Sequence, residues 1–121
     1  MYSFTSYMVQ KILPSKLRDS VLSSLEELKA ISPVTINVKK LTTVTDYIMI
    51  ASGSSNRHIQ SLGDKVLKDL KDKKYKPFGV EGNGSEEWLL IDLGDVVLHL
   101  MSAKARSFYD LEGFWDSDLG R

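Results

Sequence analysis

The residues Ser52-Gly53-Ser54-Ser55-Asn56-Arg57-His58 stand where an apolar run gives way to a helical pattern, and their types suit an anion. Unpaired backbone N–H groups and the helix dipole at such a junction favour negative charge. Ser54, Arg57 and His58 are therefore candidate contacts for a phosphate or a local stretch of RNA, as is Arg106 farther along. The spacing is neither a Walker loop nor a dinucleotide fingerprint, and serine capping of an ordinary helix explains the same residues. Histidine chemistry has less behind it. His58 falls in the first turn of that helix, His99 lies beside Trp88, and no serine or cysteine is placed as a partner nucleophile, so helix-terminal and interface roles are expected.

The carboxylates Asp46, Glu81, Asp92 and Asp95 form a second set. A strand ending in Gly-Ser, then a helix, then acidic strands is loosely similar to nucleotidyltransferase folds. Their two-metal chemistry needs an Asp-x-Asp pair on the strand after that helix. Here the strand reads Phe78-Gly79-Val80-Glu81, and one carboxylate cannot hold two metals. Asp92 and Asp95 have a simpler role as turn residues that bond the local backbone. No catalytic residue, metal or cofactor is expected. In the tail, Phe108, Leu111 and Trp115 recur at helical spacing, which suits a closing helix docked on a sheet and equally a contact with a partner.

Any contact surface must be positioned by the stretch Glu86 to Met101, which reads as a β-hairpin apolar on both faces. Asp92-Leu93-Gly94-Asp95 supplies a glycine where a tight turn wants positive φ. With Leu93 and Gly94 as the loop, Ile91 faces Val96, Leu90 faces Val97, Leu89 faces Leu98 and Trp88 faces His99. One face is then Leu89, Ile91, Val96, Leu98 and Leu100, wholly aliphatic and suited to lie beneath a helix. The other is Trp88, Leu90, Val97, His99 and Met101, a mixture that half-wet contact surfaces use. A sheet covered by helices on both sides gives the same pattern, so both readings stay open at this point.

Length and composition narrow the class. The 121 residues suit a single domain spanning 1–121, with residues 1–14 a flexible N-terminal extension. Sixteen basic residues balance sixteen acidic ones, which argues against a general polyanion binder. Without cysteine there is no disulfide framework and no thiol nucleophile. No apolar run approaches the roughly 20 residues of a membrane span, and a cytoplasmic protein making no membrane contact is expected. Ser15 is the expected cap of a helix to about Ala30, with Leu17, Val21, Leu25 and Leu28 at helical spacing and Ser32-Pro33 as its stop. Val34 to Val38 and Tyr47 to Ser52 read as strands. Ser54 or Ser55 opens a long helix to about Lys74, with Ile59, Leu62, Val66 and Leu70 on one stripe and a solvated lysine face. A short strand at Phe78–Glu81, a flexible Gly82-Asn83-Gly84-Ser85 loop, the hairpin and a helix from about Ala103 to Trp115 complete the order. The fold class is α/β (α+β), a mixed sheet of about five strands carrying helices, with nucleotidyltransferase-like topology but no carboxylate pair.

Taken together, Thr45-Asp46-Tyr47, Ser52 through His58, Val80-Glu81-Gly82, Glu87-Trp88, Asp92 through His99 and Arg106-x-x-Tyr109-x-Leu111-Glu112-x-x-Trp115 follow one family's order and spacing. The chain resembles the ribosomal silencing factor (RsfS, or Iojap-like) family from about Ser15 to Trp115, and the two ends have no counterpart. The resemblance implies a non-enzymatic protein that binds the large ribosomal subunit through large-subunit ribosomal protein fourteen. Bound there, it would block joining of the small subunit and repress translation under nutrient limitation, with a role in large-subunit assembly for organellar relatives. It implies partner contacts at Trp88, Leu93 and Met101, two of which share the mixed hairpin face with Leu90, Val97 and His99. Local ribosomal RNA contact and a monomer or weak homodimer complete the expectation. The competing readings are a nucleotidyltransferase-like nucleotide-binding enzyme and an RNA-binding module using Arg57, Arg106 and the lysines of the long helix.

Overall fold

A computed structural model describes residues 12–82 and 87–116. The expected extension over residues 1–14 lies outside them apart from its last three residues, as does most of the Gly82–Ser85 loop. The elements run α1 (Pro14–Glu27), β1 (Ile31–Asn37), β2 (Tyr47–Ser52), α2 (Asn56–Asp72), β3 (Gly79–Glu81), β4 (Trp88–Asp92), β5 (Val96–Met101), α3 (Ala103–Tyr109) and α4 (Leu111–Asp116). The strands form one mixed sheet in the order β1-β2-β5-β4-β3. Only β2 and β5 pair in parallel, and the other neighbours are antiparallel. No helix among the described residues is long and apolar enough to cross a membrane.

Helices α1 and α2 cover one sheet face. Leu17, Val21 and Leu25 from α1 and Ile59, Leu62, Val66 and Leu70 from α2 pack against Leu89, Ile91, Val96, Leu98 and Leu100. These are the stripes that helical spacing and strand alternation anticipate. The lysine face is less solvated than expected at one place, where Lys65 bridges the two helices through Glu27 at 2.8 Å and Asp69 at 3.3 Å.

Helix α1 ends differently from expectation, whereas α2 keeps close to its expected bounds, from its cap Ser55 to the residues before Lys74. Helix α1 starts on Pro14 at its first turn with no side-chain cap, so Ser15 is not the capping residue. It stops at Glu27, with Lys29 left-handed at φ 58° and the Ala30 N–H donating to the Leu25 carbonyl at 2.9 Å. This is a Schellman ending with lysine in the usual glycine place. Leu28 is consequently half exposed, and Ser32-Pro33 lies within β1, at an irregularity in its pairing between Ile31 and Val34. Lys74, at φ 65°, ends α2 in the same way.

The hairpin register also differs. Trp88 pairs with Met101, Leu90 with His99 and Asp92 with Val97, a slide of two residues that puts Gly94-Asp95 in the loop. Leu93 thereby extends the strand and buries its side chain completely, while Gly94 takes the positive φ of 85°. Its register is fixed by the Leu93 N–H donating to the Val96 carbonyl at 2.8 Å, and by the Tyr75 hydroxyl donating to the Leu93 carbonyl at 2.5 Å. A two-residue slide leaves every side chain on its expected face.

The second sheet face is divided. Toward β1 and β2, Leu111 and Trp115 of α4 and Ala105 of α3 pack over Ile36, Ile48, Ile50 and Met101. Toward β4 and β3 the face opens, leaving Leu90 and Val97 half-buried.

Candidate partner-docking surface around Trp88

Trp88 stands where the covered and open halves of that face meet. Its indole Nε1–H donates to Nδ1 of His99 at 3.0 Å. Its ring tilts against the His99 ring at 5.7 Å and the Tyr109 ring at 4.7 Å between centroids, and Phe108 continues the row edge-on to Tyr109 at 5.0 Å. A shallow cleft lies on each side of the indole. One, of about 330 Å³, is lined by Glu87, Trp88, Lys104, Ala105, Phe108 and Tyr109; the other, of about 340 Å³, by Glu81, Gly82, Trp88 and Leu90. Gly82 is required beside it, because at φ 80° an added Cβ would run into the Trp88 carbonyl oxygen.

The electrostatics of this surface are set by burial. His99 is only 8% exposed, and burial pushes its imidazole down to about 4. It is therefore neutral near pH 7, and since Nδ1 accepts from the indole, the ring proton sits on Nε2. Glu87 closes the end of the strand, accepting from the Ser102 hydroxyl at 2.5 Å through its carboxylate and from the Ser102 N–H at 2.9 Å through its backbone carbonyl. The surface thus combines an aromatic edge with charged rims, Glu87 and Lys104 beside one cleft and Glu81 beside the other.

A family model described as ribosomal silencing factor during starvation matches residues 13–120. The chain belongs to the ribosomal silencing factor family. It is 36% identical over 94 residues to the ribosomal silencing factor of Chromobacterium violaceum, covering 78% of this chain and 77% of that protein. It is 34% identical over 100 residues to the mouse protein named mitochondrial assembly of ribosomal large subunit protein 1, covering 80% of this chain and 44% of that protein. A crystal structure of a Chromobacterium violaceum protein superposes with a TM-score of 0.84 at 32% identity, over 87% of this chain and 88% of the other. The family match runs past Trp115, so the end of the chain has the counterpart that the resemblance lacked.

In this silencing-factor chain the expected contact residues fall into two groups. Trp88, Leu90 and Val97 are partly exposed on the open half of the sheet. Met101 and His99 are buried beneath and beside them, and Leu93 is buried on the opposite face under α2. Two residues of the tail, Phe108 and Tyr109, also join the surface. The tail does not form one helix, because Asp110 is left-handed at φ 48° and its carboxylate accepts from the Gly113 N–H at 3.1 Å. This break turns Phe108, expected either docked on the sheet or in contact with a partner, outward to 78% exposure and lays Tyr109 on Trp88. The adjacent aromatics are the one sequence signal that could have found them.

The candidate anion contacts are largely engaged within the chain. The Ser54 N–H donates to His58 Nδ1 at 2.8 Å, and His58 Nε2 lies 2.8 Å from the Leu28 carbonyl oxygen, tying the start of α2 to the end of α1. Ser55 is the cap, accepting from the His58 N–H at 3.0 Å. Arg106 grips Glu112 through two bonds of 2.8 and 3.1 Å and also donates to Ser52 Oγ and to the carbonyls of Ile31 and Ser32. Arg57 is exposed. Asp92 takes the expected turn role, accepting from the Gly94 N–H at 2.9 Å. Among the described residues no group of three or more histidines and carboxylates is placed to hold a metal.

Proposed function

We propose that this protein docks on the large ribosomal subunit, through ribosomal protein fourteen of that subunit, by the surface around Trp88. There it sterically obstructs joining of the small subunit. The observation that carries this reading is a half-exposed tryptophan, held on one edge and flanked by two clefts, at the open end of an otherwise buried sheet face. Large aromatics seated at pockets are the residues that dominate protein interfaces. Family membership supports the ribosome as partner, and the name of the mouse relative supports the large subunit. In this proposal Trp88, Leu90 and Val97 touch the partner, Met101 and His99 shape the surface from beneath, and Leu93 acts only by anchoring the hairpin turn from the opposite face. The action is cytoplasmic, represses translation when nutrients are scarce, extends to large-subunit assembly, and uses no cofactor or catalysis. A standard interface of about 1,600 Å² in total is enough to hold a blocker in place.

The test is sedimentation with isolated subunits, followed by a joining assay. The protein should pellet with large subunits and poorly with small ones, and should reduce joined ribosomes when added first. Trp88→Ala should weaken large-subunit binding by at least about 2 kcal/mol, roughly thirtyfold, with little change in melting. Leu98→Ala, at the centre of the α1/α2 core, should instead cost about 2–5 kcal/mol of stability and affect binding only through unfolding. Equal binding to both subunits, or undiminished joining at saturating protein, would overturn the proposal.

A further inference from the structure

We infer that His99 is a positioning residue for docking: its Nδ1 holds the Trp88 indole in the orientation that the partner meets. The inference rests on the Trp88 docking surface proposed above and adds a specific device to it. Trp88 lies between two clefts, so packing alone encloses it on few sides. Besides its packing on the Met101 cluster, two directional contacts orient its ring, the 3.0 Å bond to His99 and the tilted stack on Tyr109 at 4.7 Å. Tyr109 is itself half exposed at the end of the short helix α3. His99, by contrast, lies in the middle of the sheet, paired with Ile50 on β2 and Leu90 on β4, so its backbone is held from both sides. It is thus the rigid member of the aromatic row.

The choice of histidine there is informative. Its neighbours on this sheet face, Ile48, Ile50 and Met101, are apolar, and an aliphatic side chain would fill the same place without burying a polar ring. What an aliphatic residue cannot supply is an acceptor at the Nδ1 position, which the indole N–H uses. A side chain ordered before encounter does not have to be ordered on binding, so the bond is worth affinity even if the partner never touches His99.

The experiment uses the full chain, with His99→Leu removing the acceptor and His99→Asn returning one at the same distance from the backbone. The Trp88 indole N–H, observed by NMR with the Trp115 indole as internal reference, should exchange slowly with solvent in the wild type and in His99→Asn, and fast in His99→Leu. Large-subunit binding should fall roughly fivefold to tenfold in His99→Leu, the worth of pre-ordering one side chain, and recover in His99→Asn. In a Trp88→Phe background, which has no N–H to hold, His99→Leu should cause no further loss. A folded His99→Leu that binds like the wild type while Trp88→Ala does not would overturn the positioning role alone. If His99→Leu fails to fold, loss of slow indole exchange or of binding in a folded His99→Asn overturns it. Unimpaired binding by Trp88→Ala overturns the docking surface and the role of His99 with it.

Discussion

His99 ties the docking surface to the acid limit of the fold. In the unfolded chain its imidazole takes a proton near pH 6.5, whereas in the folded chain burial delays this to about 4. Between those values the unfolded state binds more protons, so stability is complete above pH 6.5 and declines as the pH falls toward 4. Denaturant unfolding at a series of pH values should show a loss on the order of 3 kcal/mol across that window. His99→Asn should flatten it. The Arg106 guanidinium holds the Glu112 carboxyl below the usual carboxylate range, and its contribution disappears only at lower pH. The alternation of the hairpin made Trp88 and His99 legible as neighbours on one face. The expected register set the two directly opposite each other; the observed one makes them diagonal neighbours, with Met101 opposite Trp88, and the hydrogen bond between them needs side-chain geometry that alternation alone does not give.

At the scale of elements, Arg106 fastens the C-terminal helices to the sheet. Its guanidinium joins Glu112 of α4 to the carbonyls of Ile31 and Ser32 on β1 and to Ser52 on β2. Arg106→Ala should leave these acceptors without their donor and cost about 2–4 kcal/mol, with faster amide exchange in α3 and α4 than in α2. The two lysine-ended helices offer the opposite kind of change. Lys29→Gly and Lys74→Gly should each raise stability by roughly 0.5–1 kcal/mol in thermal or denaturant melts, since only the Cβ penalty of the left-handed conformation is removed. Helix interiors were plain in the sequence because apolar stripes repeat over several turns. The end of α1 and the break between α3 and α4 were not, since Lys29 and Asp110 occupy backbone conformations that glycine or asparagine would have signalled. That one break at Asp110 also concealed the half of the candidate site contributed by Phe108 and Tyr109.

For the whole molecule, balanced charge sets how binding should respond to salt. With sixteen basic and sixteen acidic residues, and Arg106 already engaged within the chain, docking driven by the Trp88 surface should weaken less than tenfold between 50 and 200 mM salt. Pelleting with large subunits across that range checks it, and a steep loss would favour an RNA-binding module instead. The sheet order has a different consequence, for how the chain is made. Strand β5 enters the sheet between β2 and β4, and its parallel partner β2 lies far back in the sequence, beyond α2, β3 and β4. The sheet therefore cannot grow outward strand by strand as the polypeptide is synthesised. Two separate pieces, β1 with β2 and β3 with β4, must wait for Val96–Met101 before their inner edges are closed. Loop closure over such a distance is slow. A nascent chain that stalls before Val96 exposes two unpaired strand edges, a state open to mispairing and proteolysis.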